Sequence, residues 1–89
     1  MARSMPRRRR SKLEIVADIL QILASGCKPP SRLAAEANLA YDRMANIVAA
    51  LLDKGVVKEN DGKICITPEG LKMLEAYRQW RRFLDALGL

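Results

Sequence analysis

Between Ser31 and Thr67 the chain reads S-R-L-A-A-E-A-N-L-A-Y-D-R-M-A-N-I-V-A-A-L-L-D-K-G-V-V-K-E-N-D-G-K-I-C-I-T. Few folds accept that order of signals. Ser31 can open a helix of about two turns through Ala37, and Asn38 suits a left-handed stop after it. Leu39 would plug the turn. Tyr41 to Lys54 then carries a stripe of Met44, Ile47, Val48, Leu51 and Leu52 at helical spacing, leaving Asp42, Arg43, Asn46, Ala49, Ala50 and Asp53 outside. Gly55 stops that helix. Val56–Glu59 and Lys63–Thr67 follow as a hairpin around Asn60-Asp61-Gly62, with Ile64 and Ile66 on one face and Cys65 on the other.

Helix, tight turn, helix and hairpin in this order make a winged helix-turn-helix, an arrangement that presents one helix to the major groove. The flanks agree. Ser11-Lys12-Leu13-Glu14 is a capping box that opens a preceding helix, with Leu13, Val16, Ile19, Leu20 and Leu23 on its inner side. Gly26 and Pro29-Pro30 end it. Thr67-Pro68-Glu69 starts a last helix with a threonine cap, proline at the first position and an acid in the first turn. That helix reaches about Leu87, so it would be roughly 30 Å long. Leu71 and Leu74 are expected on the core. Met73, Tyr77, Trp80, Leu84 and Leu87, flanked by Phe83, recur at alternating spacings of four and three, the repeat of a coiled-coil seam. The second half of the helix has no evident partner within the chain. The predicted fold class is therefore mainly α with a small β-hairpin, divided into a flexible basic arm (1–10), a winged helix-turn-helix (11–67) and a C-terminal dimerisation helix (68–89).

With 89 residues the chain supports one domain and a modest core. Its net charge of +6 is unevenly placed. Arg3, Arg7, Arg8, Arg9, Arg10 and Lys12 precede any acid, whereas basic and acidic residues balance from Leu13 onward. Such a run is an electrostatic handle for a polyanion. No stretch is apolar enough to span a membrane, and no secretory leader is expected. Cys27 and Cys65 read as two small hydrophobes in a reducing cytosol, too few for a disulfide scaffold. The chain has no histidine, no glycine-rich phosphate loop and no base beside either cysteine. Neither enzymatic activity, nor a metal, a cofactor or a small-molecule substrate is therefore expected.

Candidate DNA contacts follow from side-chain chemistry. Arg43 and Asn46, three apart on the outer face of the third helix, carry donors suited to guanine and adenine edges. Tyr41 could touch a phosphate or a thymine methyl, or support the turn. Ser31 and Arg32 open a helix where a phosphate could sit. Lys58 and Lys63 flank the wing, and Arg7, Arg8, Arg9, Arg10 and Lys12 lie on or beside the arm. Arg78, Arg81 and Arg82 flank the seam and would pair with Glu75 and Asp85 of a partner helix.

The stretch Arg9–Leu20, with Ala37–Tyr41, Leu51–Val57, Asp61–Lys63 and Ile66–Gly70, resembles the small archaeal winged-helix DNA-binding proteins of the ten-kilodalton Sulfolobus chromatin-associated type. The resemblance implies an antiparallel coiled-coil homodimer with a winged-helix head at each end, bound to double-stranded DNA, and no enzymatic activity. Two positions depart from the family pattern: Ala40 replaces a capping residue, and Asp42 stands where a basic residue is usual. Both weaken sequence reading by the third helix. The expected function is double-stranded DNA binding as a homodimer, in transcriptional regulation or chromatin architecture, with a cytoplasmic, nucleoid-associated location. The alternative is a winged-helix protein-interaction or adaptor module that leaves nucleic acid alone.

Overall fold

The computed structural model describes residues 10–88, in the order α1 (Lys12–Ala24), α2 (Pro30–Ala37), α3 (Tyr41–Asp53), β1 (Val57–Asn60), β2 (Lys63–Ile66) and α4 (Pro68–Ala86). The architecture is mainly helical with one two-stranded antiparallel hairpin. Local signals account for most boundaries. The Ser11 hydroxyl accepts from the Glu14 amide at 3.1 Å, and the Ser11 amide donates to Glu14 Oε1 at 2.8 Å, which completes the capping box. Asn38 takes a left-handed conformation (φ 58°), and the Leu39 amide folds back to the Ala34 carbonyl at 2.9 Å. In the wing, Asp61 (φ 56°) and Gly62 (φ 79°) form a two-residue loop with both central residues at positive φ, the twist that matches a hairpin. Thr67 caps α4 by accepting from the Gly70 amide, and its hydroxyl donates to the Gly55 carbonyl at 2.7 Å. One side chain thus ties the start of α4 to the end of α3.

Several expectations are corrected by packing. Ser31 does not cap α2. The cap is Pro29 and the helix begins two residues earlier, because Pro30 fills the first helical position with its ring-fixed φ and needs no amide partner. In α1, Ile15 and Ala17 are buried and Leu13 is exposed. This helix packs against α2, α4 and β2 together, so its inner stripe is wide and rotated from the expected one. Leu52 of α3 and Leu71 of α4 are exposed for the same kind of reason: no element lies over them. The core gathers Ile19, Leu20, Leu23, Leu33, Met44, Val57 and Leu74, and no polar or charged residue among those described is buried.

The cysteines are also corrected. The Lys28 and Ile64 backbones exchange two hydrogen bonds, at 2.9 and 2.8 Å, on the edge of β2 that β1 leaves open. In an antiparallel pairing the next residues, Cys27 and Cys65, then face each other across a close, non-hydrogen-bonded position. Their Cα atoms are 4.3 Å apart and their sulfurs are joined in a disulfide. Counting cysteines misses this, because the pairing is created by tertiary contact between residues 38 apart. A crosslink of that span restricts the unfolded chain by about 3–4 kcal/mol in the chain-entropy picture.

Gly70 marks where α4 lies hard against the wing. A Cβ there would collide with the Val56 carbonyl and the Ile66 side chain. Gly70→Ala is expected to cost about 1–3 kcal/mol, measurable as a lowered urea midpoint. An unchanged midpoint would mean that α4 is free to move away from β2.

Candidate nucleic-acid interface

The turn from α2 to α3 holds α3 with its outer face clear of the body. Asp42, Arg43, Asn46, Ala49, Ala50 and Asp53 are all exposed, and Tyr41 is too. Ala40 provides no side-chain cap, and Asp42 lies in the first turn. Among the described residues no acid pairs with Arg43. The outer face also has an apolar margin. Tyr41, Ala45, Ala49 and Leu52 follow one another at helical spacing and line a shallow cleft with Pro30 and Ile64.

Lys58 pairs across the hairpin with Cys65, and Asn60 with Lys63. By strand alternation Lys58, Lys63 and Cys65 share the sheet face opposite the core, with Cys27 beyond Cys65. Both lysines are exposed, and no acid among the described residues pairs with either.

Other predicted contacts are already engaged. Arg32 Nε donates to Glu36 Oε2 at 2.8 Å, and Lys28 Nζ lies 3.8 Å from Glu36 Oε1. The mouth of α2 is therefore less positive than its sequence suggests. Ser31 stays exposed inside the first turn. Arg10 Nη1 donates to Asp18 Oδ2 at 2.7 Å, and its Nη2 donates to the Asn38 carbonyl at 3.3 Å. This residue, expected in the arm, is instead moored between α1 and the α2–α3 turn. Lys12 opens α1 and is exposed. The arm residues Arg7, Arg8 and Arg9 lie outside the described residues.

Along α4 the predicted seam residues fall on two different faces. Gly70 and Leu74 are buried, and Tyr77 and Leu84 are half-buried against the body. Met73, Trp80, Phe83 and Leu87 are exposed, and Trp80 stacks on Phe83 with ring centroids 5.5 Å apart. With Ala76 these four recur at spacings of three and four, so the exposed apolar stripe is Met73–Ala76–Trp80–Phe83–Leu87. The second half of α4 does have a partner on its inner side: Ala17, Asp18 and Gln21 of α1 line one cleft with Tyr77, Arg78, Arg81 and Asp85. The arginines bond within the chain. Arg78 meets Gln21 at 3.4 Å, and Arg82 meets Glu75 at 3.6 Å. Arg81 Nη1 donates to the Tyr77 hydroxyl at 2.9 Å, which with the nearby Asp85 raises the guanidinium pKa above its ordinary value.

Among the described residues no helix is long and apolar enough to cross a membrane. No curated protein matches the chain. A solved structure that does match is the SAH-bound form of CalO1, a methyltransferase in calicheamicin biosynthesis, at 27% identity and a TM-score of 0.56. The match covers 63% of this chain but only 17% of that one, so the chain spans a small part of that protein's length. The family description "Winged helix-turn-helix" matches residues 9–85. Nearly the whole described fold lies inside that match, and the chain belongs to the winged helix-turn-helix family.

Proposed function

We propose that the protein binds double-stranded DNA as a homodimer, with α3 in the major groove and the wing lysines on the backbone. The observation that carries this reading is a set of exposed donors without partners among the described residues, on two projecting elements: Arg43 and Asn46 on α3, Lys58 and Lys63 on the wing. The mooring of Arg10 to Asp18 and the Asn38 carbonyl, beside the α2–α3 turn, supports a role for the arm. Lys12, Ser31 and Tyr41 are exposed on neighbouring surface and complete the contact set, while Arg32 would have to exchange Glu36 for a phosphate. Two heads joined through α4 as an antiparallel coiled coil suit an archaeal-type regulator or a nucleoid-associated architectural protein. Asp42 on α3 opposes phosphate, which favours affinity from the arm over base reading.

Fluorescence anisotropy with random duplex DNA at low salt tests the reading directly; absence of binding there would reject it. Arg43→Ala is expected to weaken the best site by about 1–3 kcal/mol more than random DNA. Equal losses would make Arg43 a phosphate contact, and no loss would place α3 outside the interface.

A second reading rests on the apolar margin of α3. Tyr41, Ala45, Ala49 and Leu52 beside Asp42 and Asp53 would suit an adaptor surface for another protein. Failure to bind DNA at low salt would make it the better account.

A further inference from the structure

The two sulfurs of the Cys27–Cys65 disulfide differ in access. Cys27 is exposed in the α1–α2 connection, whereas Cys65 is only 5% exposed. A thiolate attacks a disulfide in line with the S–S bond, from behind the sulfur it strikes. Solvent therefore reaches Cys27, whereas Cys65 is shielded, and the sulfur open to attack is that of Cys27. Cleavage at Cys27 expels the Cys65 thiolate, so the charge appears on the sheet face that carries Lys58 directly across and Lys63 two residues along. Two ammonium groups sharing that face would favour the departing thiolate.

We propose that Cys27 Sγ is a thiol–disulfide exchange site that takes a dithiol reductant, and that opening it removes the covalent tie between the wing and the α1–α2 connection. One reductant thiolate bonds to Cys27 Sγ as the S–S bond breaks and its electron pair leaves on Cys65 Sγ, which takes up a proton. The second reductant thiol then attacks its partner sulfur and releases Cys27 as a thiol. The protein gains two electrons and two protons, and the dithiol becomes a cyclic disulfide. Afterwards the two Lys28–Ile64 backbone hydrogen bonds still join the connection to β2. The 38-residue span freed by cleavage holds α2, α3 and β1, the elements that the proposed DNA interface needs. Because Lys58 and Lys63 lie on the disulfide's own face, bound DNA would cover the exchange site; this coupling rests on the DNA-binding reading.

The test uses the full chain without denaturant. Glutathione, a monothiol, is added briefly, free thiols are trapped with N-ethylmaleimide, and the peptides are mapped by mass spectrometry. Glutathione on Cys27 with maleimide on Cys65 is expected. Glutathione on Cys65, or no reaction until denaturant is added, overturns the proposal. Lys58→Gln combined with Lys63→Gln should slow reduction by dithiothreitol roughly three- to tenfold; an unchanged rate overturns the part given to the lysines. Random duplex DNA at low salt should slow reduction severalfold. If DNA is bound, as anisotropy would report, and the rate is unchanged, the coupling falls while the Cys27 mapping still decides the exchange site. If DNA is not bound, the DNA-binding reading fails and the same mapping decides the exchange site.

Discussion

Trp80→Asp combined with Phe83→Asp is expected to convert the proposed dimer into monomers and to weaken self-association roughly a thousandfold or more. Each buried large apolar side chain contributes roughly 1.5–3 kcal/mol before ordering costs, and two per protomer are lost while charge is placed in the seam. The choice of positions comes from the structure. Trp80 is 55% exposed and Phe83 53% exposed in the single chain, so their replacement should leave the helical content of each protomer intact. Leu84→Asp would be a poorer probe, because Leu84 is half-buried against the body and its loss would disturb the fold as well. Sedimentation velocity at micromolar concentration checks the outcome, with far-UV circular dichroism as the control. A wild-type protein that sediments as a monomer would end the seam reading. A double variant that remains dimeric would move the interface elsewhere.

Removing Met1–Arg9 is expected to flatten the salt dependence of DNA binding by about 3–5 units of log K per log salt. Each arginine that neutralises a phosphate releases condensed counterion, at about 0.9 per contact on duplex DNA. Arg3, Arg7, Arg8 and Arg9 on two arms give eight such contacts at most, of which about half are expected to engage, and Arg10 stays on the body with Asp18. A slope change of that size corresponds to roughly 10²–10³ in affinity between 50 and 200 mM salt. The loss should be nearly the same on every sequence, since phosphates carry no base information. Anisotropy titrations of the full and truncated chains at several salt concentrations would show it. An unchanged slope would leave the run as a solubilising tail and strengthen the adaptor reading.

The kinds and order of elements were legible in the sequence because neighbours decide them. A hydroxyl three residues before an acid caps α1, Asn38 accepts positive φ, Asp61-Gly62 makes the wing loop, and Thr67-Pro68-Glu69 opens α4. Each of these depends on groups a few residues apart, whatever the rest of the chain does. The family match over residues 9–85 agrees with that order, whereas the proposed DNA contacts rest on exposure and charge alone.

Tertiary structure decided what depends on distant partners. The apolar residues of α4 allow two stripes about a quarter-turn apart. The positions of α1 and the wing select Gly70–Leu74–Tyr77–Leu84 as the inner one and leave Met73–Ala76–Trp80–Phe83–Leu87 outside. Periodicity gives a helix a face but not the direction in which that face points. Ile15 exchanges places with Leu13 for the same reason. Arg10 and Arg32 looked free in the sequence, and folding brings Asp18 to the one and turns Glu36 to the other. Cys27 and Cys65 become partners because the Lys28–Ile64 backbone pair sets a register that places them opposite each other. Local chemistry therefore determined the elements of this protein, and long-range packing decided which side chains they hide, pair or present.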